Sequence, residues 1–162
     1  MRNIVYRVFL ILIFLLLTLQ VLDWIAIADV KPDILLILTI FIAQKQGMMT
    51  GQISGFFAGL AEDIFSIQLF GIHSFCKLVI GYFSGLLYSN FVLDNFLIQA
   101  LLGFVGSLVH GFLFLGAKAL FDSIDVGYYF LNVFWIKVLY TTLLTPILFF
   151  ILGFFEKRFG ES

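Results

Sequence analysis

Glu62, Asp63, His73, Lys77 and His110 are ionisable residues set in otherwise apolar stretches, with Lys137 nearer a segment end. Burying a lone charge in a low-dielectric medium costs several kcal/mol, so such groups are expected to pair or to bind something. If the segments flanking Ser66 to Gly71 form an antiparallel hairpin, Asp63 falls level with Phe75 to Lys77. An Asp63–Lys77 pair, with Glu62 or His73 completing the hydrogen bonds, would then neutralise the charge. Three uses fit that pair: closing the hairpin near one membrane face, contacting another protein, or holding a proton or ligand. His110, beside Gly106, fits a neutral histidine hydrogen-bonded across helices. The spacings of zinc proteases, nucleotide-binding loops and nucleophile–base pairs are all missing from the sequence. It therefore offers no catalytic, cofactor-binding or metal site and reads as a non-enzyme.

The composition dictates what must position these groups. The chain has 162 residues, 62% hydrophobic, with 22 Phe and only 12% charged, against about 25% charged in soluble domains. A single polytopic integral membrane domain, residues 1–162, is the expected class. A net charge of -1 and the lack of a nucleic-acid-binding motif exclude nucleic acid as a partner. The single Cys76 excludes an intramolecular disulfide and a multi-thiolate metal site.

Six apolar segments are predicted, an all-α fold of about six transmembrane helices. The first runs from about Ile4 to Leu22 and ends at Asp23-Trp24, an acid beside an interfacial aromatic anchor. Arg2, Arg7 and the Ala26-Ile27-Ala28 triplet give it some look of a signal peptide, but a first membrane helix is the better reading. The second opens at Pro32-Asp33 and ends near Gln44, short for a bilayer core of about 30 Å. It reads as a short shielded helix or a re-entrant piece. The others cover about Gly47 to Phe65, Ile72 to Tyr88, Asn95 to Leu120, and Tyr129 to Phe155 with a kink expected at Pro146.

The third segment carries Gly47, Gly51, Gly55, Gly59 and then Asp63 at every fourth position, beside Thr50, Ser54, Ala58 and Glu62. Residues four apart lie one above another on a helix, so these rows make one broad small-residue face. The fourth segment has its own row, His73, Lys77, Gly81, Gly85 and Ser89. The fifth has Gln99, Gly103, Ser107 and Gly111, and the sixth has Asn132, Lys137, Thr141 and Thr145. In lipid, small residues let helix backbones approach closely. Either these rows pack against each other within the chain, or part of the face receives a partner helix; Gly47, Gly51, Gly55, Gly59, Gly81 and Gly85 are the candidate contacts.

Lysine and arginine in short loops set orientation. With the amino end inside, the cytoplasmic pieces hold Arg2, Arg7, Lys45, Lys157 and Arg158. The opposite side holds Lys31 and Lys118, with Lys137 if it snorkels outward, and the acids Asp23, Asp29, Asp33, Asp122 and Asp125. Both termini are expected in the cytoplasm.

Pro32-Asp33, then Gly55, Gly59 and Asp63 as G-x-x-x-G-x-x-x-D, Ser66, Gly71-Ile72-His73, Gly81-Tyr82 and Gly85 together resemble the rod shape-determining protein MreD family. The motif-bearing part spans about Val30 to Gly85, and length and segment order agree over most of the chain. The resemblance implies a multi-pass bacterial inner-membrane scaffold of cell elongation and peptidoglycan synthesis. Its partners would be MreC, RodA with a class B penicillin-binding protein, the actin-like MreB, and the lipid bilayer. It also implies a fold similar to the substrate-binding subunits of energy-coupling-factor transporters. That likeness keeps a second function open, a vitamin-type binding subunit with Asp63, His73, Lys77, His110 and Asn132 as candidate ligand contacts. A proton-coupled carrier is a third, and would need a wet path along Glu62, Asp63 and His110. The chain departs from the family in its loops, where Gln44-Lys45-Gln46 and Tyr88-Ser89-Asn90 replace arginine-rich stretches.

Overall fold

The computed structural model describes residues 30–66, 70–88, 95–121 and 126–159. The first predicted segment, its Asp23-Trp24 end and the loop acids Asp29, Asp122 and Asp125 lie outside them. So do Arg2, Arg7, Ser89 and the side chains of Lys157 and Arg158. The described elements are helices: α1 (Ile34–Gln46), α2 (Met48–Phe65), α3 (Ile72–Leu86), α4 (Phe96–Phe121), the short α5 (Val126–Tyr129), a π-helical turn (Phe130–Phe134) and α6 (Trp135–Phe159). Among the described residues, two stretches are long and apolar enough to cross a bilayer, Phe96–Phe121 and Gly127–Glu156. The described residues are thus predominantly helical and consistent with a membrane protein.

α1 is central. Its 13 residues give a rod of about 20 Å, and Leu35, Leu36, Ile37, Ile40 and Ala43 are all buried. A helix apolar around its whole circumference belongs in a core. Phe41 meets the Phe149 ring of α6 edge-on at 5.2 Å, and Leu36, Ile37 and Ile40 cluster with Ile80 of α3 and Leu152 of α6. The second predicted segment is therefore a short helix shielded by its neighbours.

The four-residue rows turn out to be the contact faces within this chain. At Gly51 a side chain would strike the Gly81 carbonyl and Ala43; at Gly55, the Lys77 carbonyl and Thr39; at Gly59, the backbone of His73 and Ser74. Gly85 abuts the Met48 backbone in the same way. These pairings run in opposite chain directions, so α2 is antiparallel to both α1 and α3. Across the bundle Gly103 accommodates Thr145 and Gly111 accommodates the Phe134 ring, which sets α4 antiparallel to α6. Gly47 and Gly71 serve a different need: their φ of 85° and 98° suit glycine, and they turn the chain between α1 and α2 and into α3.

Buried hydroxyls find acceptors on their own helices, Thr39 Oγ1 on the Leu35 carbonyl at 2.8 Å and Thr145 Oγ1 on the Thr141 carbonyl at 2.7 Å. α6 continues through Pro146. The irregularity sits at the π-helical turn instead, which the residue pattern did not indicate.

Gly55→Ala and Gly81→Ala should each lower bundle stability by about 1–3 kcal/mol through overpacking. Gly116→Ala, where an added Cβ meets open space, should lower it not at all. Unfolding midpoints of the three variants in one detergent, followed by intrinsic fluorescence, check this.

Candidate functional site

Antiparallel packing brings one polar cluster together at a single end of the bundle. There the start of α1 meets the end of α2, the start of α3, the later part of α4 and the first turns of α6. Its hub is Asp33, 5% exposed. As the cap of α1 its Oδ1 accepts the Leu36 amide at 2.9 Å, and its own amide donates to Thr141 Oγ1 at 3.2 Å. Its Oδ2 accepts from Lys77 Nζ at 3.1 Å. His110 Nε2 and Lys137 Nζ stand off the same oxygen at 3.6 and 3.8 Å.

Lys77 is fully buried on α3. Its ammonium donates to Glu62 of α2 as well as to Asp33, so one cation joins carboxylates from two other helices. Glu62 is 29% exposed as a side chain, and its Oε1 lies 3.7 Å from His73 Nδ1. The His73 ring stacks on Phe114 at 5.0 Å and on His110 at 5.8 Å between centroids. Two carboxylates against two ammonium groups leave Asp33, Glu62, Lys77 and Lys137 formally neutral as a set. Charge compensation of this kind makes deep burial tolerable.

Asp63 stands apart, which corrects the expected Asp63–Lys77 pair. Its Oδ1 accepts the His73 amide at 3.1 Å, and its Oδ2 accepts the Ser74 amide at 3.0 Å and the Ser74 hydroxyl at 2.6 Å. The first amides of a helix have no intrahelical acceptor and carry partial positive charge, so a carboxylate there is held in place. Lys77 turns instead to Glu62, one residue earlier, and to Asp33, 44 positions away.

The small-residue face also needs correcting as a partner groove. Gly51, Gly55 and Glu62's neighbour Gly59 are covered by α1 and α3 of this chain, and Gly81 and Gly85 by α2. Gly47 is a turn residue facing the Tyr88 ring. Lys137, counted with the outer side only if it snorkelled outward, turns its ammonium toward Asp33 with 24% of the side chain exposed. Sequence reading put Asp33 at the opening of the second segment, among the acids of the outer side, and not in the cluster; the signal that pointed further was its cap position after Pro32.

Of the vitamin-site candidates, His73, Lys77 and His110 meet in the cluster, but Asp63 and Asn132 do not join them. Asp63 is engaged by α3, and exposed Asn132 donates to the Tyr128 carbonyl at 3.0 Å. Beside Asp33 and His110 there is a cavity of about 10 Å³, room for the centre of one water and for no metabolite. Among the described residues no three His, Cys, Asp or Glu side chains gather as a metal site.

Lys77→Met should strand two carboxylates and cost about 3–5 kcal/mol, as breaking a buried pair does. Adding Asp33→Asn should recover part of that loss. Stability measured over the full double-mutant cycle should give a coupling of about 0.5–3 kcal/mol; additive losses would contradict the assigned pairing.

A family model described as rod shape-determining protein MreD matches residues 1–158. No curated protein and no solved structure matches the chain.

Proposed function

The chain belongs to the rod shape-determining protein MreD family, and on that premise we propose that it is a non-enzymatic membrane scaffold of the cell-elongation machinery. It holds the single transmembrane helix of MreC and links it to RodA and its class B penicillin-binding protein, with MreB as a further contact. Both termini lie in the cytoplasm. In this orientation Lys45 and Glu156, paired at 3.1 Å, stand at the cytoplasmic end, and the Asp33 cluster lies toward the outer face. Arg2, Arg7, Lys157 and Arg158 of the sequence fall on the cytoplasmic side, as the positive-inside rule requires.

The observation that carries this reading is how the chain spends its polar and small residues. The charged groups pair inside the bundle, and the glycine rows of α2 and α3 pack on each other. What faces outward is apolar: Val105, Val109 and Phe112 on α4, and Leu139, Leu143 and Ile147 on α6. A partner helix therefore docks along α4 and α6. At 26 residues and within the 30-residue span they run the full depth of a bilayer, whereas α1 and α3 stop short. Gly116 adds a bare spot on this surface, where a close-approaching backbone meets no side chain.

Photo-crosslinking from single positions in native membranes tests the docking face. Probes at Val109, Phe112, Leu139 and Leu143 should capture MreC, and probes at the exposed Phe57 and Phe83 of α2 and α3 should not. Capture from Phe57 and Phe83 alone would move the interface to the other side of the bundle. Loss of MreC from every position in a complex that still co-purifies would overturn a membrane-embedded contact.

A further inference from the structure

We propose that the cavity between α1, α4 and α6 is a binding site for a single water molecule, which joins His110 to Asp33 and Lys137. The cavity is lined by Asp33, Ser107, His110, Tyr129, Lys137 and Thr141, together with apolar side chains that include Phe114 and Phe134. Its volume of about 10 Å³ for a water centre matches one molecule. His110 is 2% exposed, and its Nε2 has no hydrogen-bond partner among the described residues. A buried polar atom is normally paired, and this nitrogen lines a space of the right size.

The surrounding distances suit a bridge. His110 Nε2 lies 3.6 Å and Lys137 Nζ 3.8 Å from Asp33 Oδ2, both too long for a direct hydrogen bond. One water donating to Asp33 Oδ2 and in contact with Nε2 and Nζ closes both gaps. Buried waters commonly make about three such contacts. The site takes a molecule with both donor and acceptor capacity and a single heavy atom. Its position is the joint between α1 and the α4–α6 pair, so the bound molecule completes the polar contact between those parts.

The second histidine supplies an internal comparison. His73 Nδ1 is also buried and without a hydrogen-bond partner, and it faces Glu62 at 3.7 Å. His73 does not line the cavity. A water held in this cavity therefore contacts His110 and not His73.

The test is water-edited solid-state NMR of the full chain in lipid bilayers, labelled with ¹⁵N-histidine. Magnetisation from water protons should reach His110 Nε2 severalfold faster than His73 Nδ1. Ser107→Val, which places a methyl group in the cavity, should abolish transfer to His110 while the His73 signals stay in place. Equal build-up at the two rings, or none at His110, would overturn the proposal, as would undiminished transfer in a folded S107V chain. The comparison of the two rings in the unsubstituted chain decides the question even where S107V fails to insert.

Discussion

A lysine ammonium with no exposed surface has to be met by negative charge, and the arrangement of this bundle follows from how Lys77 is met. Its partners come from the beginning of α1 and the end of α2, so three helices are tied at one point. Through Asp33 the tie extends to Thr141 and Lys137 on α6 and toward His110 on α4. Water is scarce at such a site, so removing either sign of charge leaves the other stranded. The cluster therefore constrains the relative depth of every long helix described.

Electrostatics alone would not bring those groups into range. The ammonium reaches both carboxylates because α3 lies directly on α2, with Gly55 against the carbonyl of Lys77 itself. The residue whose side chain carries the buried charge thus has its backbone seated on a glycine. Missing side chains shorten the distance between axes, and the shortened distance makes the ion pairs. In a medium that gives apolar surfaces no reason to associate, packing and polar contacts must do the associating, and here each depends on the other.

Much of this was legible in the sequence. A glycine at every turn of a membrane helix announces backbone contact, and the rows through Gly51, Gly81, Gly103 and Gly111 are contact faces. Periodicity names a face, though, and never says what covers it; the cover proved to be the chain's own α1, α2, α3, α6 and the π-helical turn. Hairpin arithmetic set Asp63 level with Phe75 to Lys77, too far along α3; Gly55 holds the level of Lys77, and Asp63 meets the His73 and Ser74 amides where α3 opens. The arithmetic assigned the wrong partner because the unpaired amides that open α3 compete for a carboxylate as strongly as a lysine does. Asp33 escaped notice as a hub because the 44 positions between it and Lys77 hide their proximity. Of the six expected crossings, the described residues supply two helices long and apolar enough to span a bilayer.

The π-helical turn at Phe130–Phe134 has a consequence for how this family member tolerates change. A wider turn accommodates an additional residue, and each residue of an α-helix advances the winding by about 100°. The turn thus acts as a phase adjuster: Phe134 reaches the notch at Gly111 while Lys137, Thr141 and Thr145 keep their inward stripe. A single-residue deletion upstream of Phe134 can be absorbed there by reverting to ordinary winding. The same deletion between Lys137 and Thr145 has no such slack, and would swing one half of the stripe out of the bundle.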